Sequence, residues 1–277
     1  MGQVRIVTDS AAELSPEVVE ELNITVIPWR LRQGSSTILD EAKLLSPTFY
    51  REAVRQRDLP IPIPPSMQDV VNVYAQLALE TDEIVSIHAS SGLVNIASVA
   101  GRARANFVGR CHIHVVDCQY ISRAQGILVE RAARAAQAGA SAAEIVRLVH
   151  GLIPATYFAF HVDQLDYMVR RGLLREDQSM GVGLARALFM IEDGEITSFR
   201  RSRRRGTAVE RLGEFVSEFE RIEILSLLHT GLVPAIKDLK SLLAETLPEQ
   251  GYEEHIYGPV LSSCIGPLAL GVVVFQP

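Results

Sequence analysis

Ser90-Ser91-Gly92 ends the run Ile84-Val85-Ser86-Ile87-His88-Ala89, and this is where side chains suited to chemistry collect. A β-branched run of this kind follows the acidic turn at 80–83. Apolar residues at helical spacing over 93–106 come next (Leu93, Ile96, Ala97, Ala100, Ala103). That order reads as a buried strand of a parallel sheet running into a helix. Two hydroxyls and a glycine would then sit where free backbone N–H groups and the positive end of the helix dipole meet. Such a place suits a carboxylate or a phosphate. Ser90 or Ser91 could equally do no more than cap the helix. A third chemistry is nucleophilic, with Ser91 as nucleophile, His88 as base and Asp9 or Asp117 as the orienting acid. The Gly-x-Ser-x-Gly elbow that exposes such a serine is absent, and Ser-Ser-Gly-Leu fits a hydroxyl aimed at a bound oxygen better.

Two other clusters invite a chemical reading. Residues 200–205 place five arginines in six positions, just before a helical pattern. Mutual repulsion keeps such a run at the surface. It is either a solvated basic turn or a site for phosphate or an acidic partner, since guanidinium forks match those oxygens. Cys111, His112, His114 and Cys118 look metal-like, but on a strand His112 and His114 share one face while Cys111 points to the other. No second cluster completes a tetrahedral set, so no metal is expected.

The elements that must position these residues alternate strand and helix through the first half. Strands are expected at 4–8, 24–28, 84–89 and 112–117, with Trp29-Arg30-Leu31 extending the second. Helices are expected near 15–23, 46–57, 68–80 and 124–139, and Ser141-Ala142-Ala143-Glu144 is a capping box for another. Residues 33–38 read as a polar turn. Leu59-Pro60-Ile61-Pro62-Ile63-Pro64-Pro65-Ser66 can join neither a helix nor a central strand. It reads as a stiff extended loop, a rigid connector or a wall beside a ligand. Alternation of this kind implies a parallel sheet covered by helices. After about 154 the character changes: strands at 158–162, 222–229, 254–257 and 270–275, helices at 163–171, 207–219 and 234–247, and a hairpin over 188–199 turning at Asp193-Gly194. Residues 258–267 read as a connection. The fold class is therefore α/β in two domains. A Rossmann-like parallel-sheet domain (1–154) packs on an α+β domain (155–277) with a mixed or antiparallel sheet.

Composition narrows the function. The 277 residues carry a net charge of -6 and are 48% hydrophobic, enough for sizeable cores. The acidic balance argues against nucleic acid as a partner. No apolar run reaches the length of a membrane span, so no stable membrane insertion is expected. Three cysteines are too few for a disulfide framework, and with no signal-peptide pattern at the amino terminus a cytoplasmic location is expected.

Several blocks in order along the chain resemble the DegV family, which has the so-called EDD fold. Ile6-Val7-Thr8-Asp9-Ser10-Ala11-Ala12-Glu13-Leu14 is similar to its "VTDSTADLP" opening, and Ile24-Thr25-Val26-Ile27-Pro28 to its "ITVVPL" strand. Ile87-His88-Ala89-Ser90-Ser91-Gly92-Leu93 resembles "ISSGLSGT", and Val116-Asp117 resembles "VIDS". Val162-Asp163-Gln164-Leu165-Asp166-Tyr167, then Arg170-Arg171-Gly172, resembles "VDTLEYLRRGGRI". Glu192-Asp193-Gly194-Glu195-Ile196 with the arginine run resembles "DGKI" and "VRGRKKA". Gly258-Pro259-Val260 and Gly266-Pro267-Leu268-Ala269-Leu270-Gly271 resemble "GPVIGTHTGPGALG".

The resemblance implies a long fatty acid in a tunnel between the two domains, its carboxylate near Ser90, Ser91 and Gly92. It implies a carrier without catalytic machinery or cofactor, one that presents the acyl chain to a separate ATP-using fatty acid kinase subunit. Arg170, Arg201, Arg203 and Arg205 would then meet that partner or the phosphate. The chain departs from the family pattern at the head group. Ile61, Pro62 and Ile63 occupy the threonine and serine positions of the family's "PTTSQPS" loop, and Cys264 takes the place of the histidine in "THTGPG". Each lost hydrogen bond to a charged group is worth about 1.5–3 kcal/mol. The implied site is thus lined by Ser90, Ser91, Gly92, His88, Ile61, Pro62, Ile63, Ser263 and Cys264, with an altered head-group preference. The competing readings are a Ser91-dependent acyl hydrolase and a degenerate paralogue acting through protein contacts alone.

Overall fold

The structure is a computed structural model that describes residues 3–40, 46–56, 60–174, 188–199 and 207–277. The chain divides into two compact units, Met1–Ala42 with Ile61–Pro154 and Lys43–Pro60 with Ala155–Pro277. In this division the segment Lys43–Pro60 groups with the second unit.

The first unit is built on four parallel strands: β1 (Arg5–Asp9), β2 (Ile24–Ile27), and, after the helices between them, β6 (Glu83–His88) and β7 (His112–Asp117), ordered β2-β1-β6-β7. Ile84, Val85, Ser86, Ile87 and His88 are all buried, as a strand covered on both faces requires. α1 is Pro16–Glu21 and begins with a Ser15 cap and proline at its first position. α2 (Pro47–Gln56) is the helix that joins the second unit. α3 (Met67–Leu77) starts with a capping box between Ser66 and Asp69. α4 (Ile96–Ala103), α5 (Arg123–Gln137) and α6 (Ala142–Leu152), the last with the expected Ser141–Glu144 box, pack against the sheet.

Three sequence expectations need correction in this unit. Trp29-Arg30-Leu31 does not extend β2. The chain leaves the parallel sheet, and Arg30–Gln33 forms β3 of a separate sheet. Residues 33–38 are not a polar turn: Ser36–Leu39 is β4, antiparallel to β3 across a turn in which Gly34 has φ 57°. The proline run contains a strand, β5 (Ile61–Ile63), antiparallel to β3 on its other side. The order β4-β3-β5 leaves β5 at an edge, and an edge strand tolerates Pro62 because its outer side needs no donor.

The second unit holds a six-stranded sheet. Its strands are β8 (Thr156–His161), β9 (Leu188–Glu192), β10 (Glu195–Phe199), β11 (Ile224–His229), β12 (Glu253–Ile256) and β13 (Leu270–Phe275). The order is β10-β9-β8-β13-β11-β12, antiparallel except for β11 with β12. α7 is Asp166–Arg170, α8 Ala208–Val216, α9 Ile236–Thr246 and α10 Pro259–Ile265. Leu212, Phe215, Leu239 and Leu243 from α8 and α9 interlock with Leu225, Leu227, Val272 and Val274 from the sheet. Residues 258–267 are not a bare connection: most of them form α10, with Pro259 at its first turn. α2 is tied to this unit by the Tyr50 hydroxyl, which donates to the Tyr257 carbonyl at 2.8 Å.

Candidate functional site

The helix expected over 93–106 begins three residues late, at Ile96, and Ser90 to Asn95 form turns instead. Ser90 does not cap it. Its Oγ accepts from the Gly92 amide at 3.1 Å, closing its own turn, while the Leu93 and Val94 amides donate to the Ser90 carbonyl. The Ser91 amide donates to Asp117 Oδ2 at 3.1 Å. The backbone donors expected to face an anion are therefore used within the protein. Ser91 itself is exposed and Ser90 is buried.

His88 takes part in a different arrangement from the one its distance to Ser91 along the chain suggested. A strand repeats every two residues, so Ser86 shares the face of His88, and Ser86 Oγ lies 2.7 Å from His88 Nε2. The Tyr74 hydroxyl donates to Ser86 Oγ at 2.8 Å. The single Ser86 proton then goes to Nε2, so the other ring nitrogen carries the imidazole hydrogen and donates to Asp9 Oδ2 at 2.9 Å. Asp9 also accepts from the Gln125 amide group (3.3 Å) and the Ala89 amide (3.3 Å) on Oδ2. On Oδ1 it accepts from the Trp29 indole (3.0 Å) and the Ala11 amide (3.2 Å). Tyr74, Ser86, His88, Asp9 and Gln125 are all fully buried. Burial pushes the Tyr74 phenol up, against the pull of its bond to Ser86.

This is the connectivity of a Ser–His–Asp triad, sealed inside the protein. A catalytic triad needs a nucleophile open to substrate, and Ser86 has none of its surface exposed. Pairing of Ser91 with His88 is overturned, because both ring nitrogens are taken by Ser86 and Asp9. Reading the strand's period of two would have found Ser86. Tyr74, Gln125 and Trp29 reach Asp9 and its partners from other elements, and no local spacing announces them.

The remaining sequence-derived residues are spread over both units. Pro62 is buried on β5, whereas Ile61 is 51% exposed. On α10, Cys264 is fully buried and the Ser263 hydroxyl donates to the Val260 carbonyl at 2.7 Å. Burial pushes the Cys264 thiol up, although the nearby Arg171 guanidinium pulls the other way. Arg170 is exposed on α7, 3.8 Å from Asp166 and over the Tyr167 ring. Arg201, Arg203 and Arg205 lie outside the described residues. Cys111 and Cys118 are buried, His112 is exposed, and among the described residues no three His, Cys, Asp or Glu side chains form a metal-binding group. No described helix is long and apolar enough to cross a membrane.

A family model described as an uncharacterised protein of the DegV family matches residues 3–276. A DegV domain-containing protein of Staphylococcus aureus is 25% identical over 276 residues, 98% of each chain. Among solved structures, DegV of Bacillus subtilis, described as a fatty acid binding protein, is similar over 100% of both chains, with TM-score 0.84 and 24% identity. A stearic acid-binding protein of Eubacterium ventriosum is similar over 100% of this chain and 98% of that one, with TM-score 0.79 and 18% identity. With residues 3–276 of its 277 matched, this chain belongs to the DegV family.

Proposed function

We propose that the protein is a carrier of a long-chain fatty acid or a related lipid and performs no chemistry of its own. The observation that carries this reading is the family match over residues 3–276, together with a fold shared end to end with a DegV protein described as fatty acid binding. In this reading the lipid head lies at the Ser90-Ser91-Gly92 turn, with the Ser91 hydroxyl as the free donor. Ile61, Pro62 and Ile63 bring no hydroxyl to it, so the preferred head is less polar than a free carboxylate, or a different acid. Presentation of the acyl chain to an ATP-using kinase subunit through Arg170, Arg201, Arg203 and Arg205 belongs to the same reading and is supported by the resemblance alone.

Acyl hydrolysis is the weaker reading. It needs His88 to serve Ser91, and His88 is committed to Ser86 and Asp9 in the interior. A serine-directed phosphonate should accordingly leave the protein unlabelled. Organic extraction of the purified protein followed by mass spectrometry tests the carrier. About one lipid per chain is the expected result, and its head group identifies the preference. Recovery of no lipid, with no uptake of added fatty acid, would leave action through protein contacts alone and reject the carrier.

A further inference from the structure

The base of the β3–β4 hairpin is closed by a ring of hydrogen bonds. Trp29 and Asp40 stand at its two ends, and the Asp40 amide donates to the Trp29 carbonyl at 2.8 Å. Ser10 Oγ accepts from the Trp29 amide at 3.0 Å and donates to Asp40 Oδ2 at 2.8 Å. The Trp29 indole reaches Asp9. Both ends of the hairpin are thus fastened to two adjacent residues at the carboxyl end of β1. The fastening is interior, with Trp29 and Asp40 buried, whereas every residue of β4 is exposed. β5 rides on the same sheet through its pairing with β3. A second tie, from Arg30 to Asp69 by two bonds of 2.8 Å, holds β3 to the start of α3.

We propose that Asp9, Ser10 and Asp40 form a clasp that positions the sheet β4-β3-β5, and that opening the clasp frees this sheet to move away from the parallel sheet. The role of Ile61–Ile63 beside a lipid head rests on the carrier reading; the clasp itself does not. Two features make the clasp a point of control. Opening it breaks few bonds, since the hairpin's outer strand buries almost nothing and local opening is cheapest where little surface is buried. Its charge is also poised. Burial pushes the Asp40 carboxyl up to about 7, and Glu13 and Asp9, the charged groups that face it among the described residues, push the same way against the Ser10 bond. Protonated, Asp40 completes the ring at little cost. Ionised, it adds a further negative charge beside two buried acids. The Arg30–Asp69 tie does not titrate in that range, because Arg30 holds the Asp69 carboxyl well below the usual carboxylate range. The sheet would therefore pivot on that tie as the clasp loosens.

Hydrogen exchange on the ligand-free, full-length protein tests this. In Ser10→Ala, amides of β3, β4 and β5 should exchange roughly tenfold faster, the worth of about one hydrogen bond, while β6 and β7 stay as in the parent. In the parent, protection of the hairpin should fall as pH rises from about 4 to about 7 and level off above that, after correction for intrinsic exchange. Asp40→Asn should abolish that step and keep the hairpin protected. Unchanged hairpin exchange in Ser10→Ala, faster exchange in every strand together, or a pH step that survives in Asp40→Asn would each overturn the clasp. Stearate dissociation, measured in parallel, should quicken in Ser10→Ala. Absence of stearate binding with the expected exchange pattern would reject the carrier reading and leave the clasp standing.

Discussion

Asp9 shows how one buried carboxylate can tie several elements together. A charge with no exposed surface is tolerated only where donors replace the water it has lost. Asp9 has five donors within 3.3 Å, drawn from β1's own turn, Trp29, the end of β6 and α5. Asp9→Ala should cost about 3–5 kcal/mol of stability, the range for breaking a buried charged network, read as the shift in a chemical unfolding midpoint. Ser86→Ala, which removes one link of the Tyr74–Ser86–His88 chain, should cost about 1–3 kcal/mol. Asp40 sets a pH dependence whose sign is fixed by its raised pKa. The folded state holds its proton up to about 7, while the unfolded chain loses it near the ordinary value of 3.8. Its contribution is therefore full below pH 4 and is lost as pH rises to about 7. Unfolding of Asp40→Asn should lack this component. In the sequence, Asp9 is one of two acids, with Asp117, open to His88. Ser91 took the place of Ser86 because proximity along the chain outweighed the two-residue period of the strand. Trp29 and Gln125 could not be found, since only the fold brings them to Asp9.

At the scale of elements, the cues that proved reliable were those with a local physical cause. Ser141–Glu144 and the Asp193-Gly194 turn each satisfy backbone groups within a few residues, and each stands where its residues suggest. Ser141→Ala should lower stability by about 1 kcal/mol, a shift of the melting midpoint by a few degrees. The β3–β4 hairpin was hidden because β4 is exposed along its whole length and shows no buried alternation. α10 was hidden because it is short and falls between glycine–proline pairs that read as loop. The switch of α2 into the second unit leaves no trace in its own sequence. It depends on long-range contacts: Tyr50 bonds to Tyr257, and Gly231 packs against Pro47 with φ 80°. A Cβ there would stand 2.5 Å from Pro47 Cγ. Gly231→Ala should destabilise the second unit by about 2 kcal/mol or more, from the clash and the left-handed backbone together. Differential scanning calorimetry reads this as a lowered midpoint; an unchanged one would mean that Pro47 yields freely.

The whole molecule is two units, one wound on parallel strands and one on a mostly antiparallel sheet, crossed twice by the chain around residues 43–60. That class of fold was legible from the alternation of elements in the first half and its loss after about 154. The order of six strands in the second sheet was not, because pairings such as β8 with β13 join residues more than a hundred positions apart. Family membership was legible mainly through many short blocks in a fixed order, which is how a family signature survives at 25% identity. The positions where this chain departs from the family's blocks, Ile61, Pro62, Ile63 and Cys264, carry the least information. Calorimetric titration of stearic acid into the delipidated protein addresses the central claim most directly. The account predicts saturable binding of about one equivalent with a negative heat-capacity change, the mark of an acyl chain leaving water. Absence of saturable heat, in a protein shown to be folded by its melting transition, would contradict it.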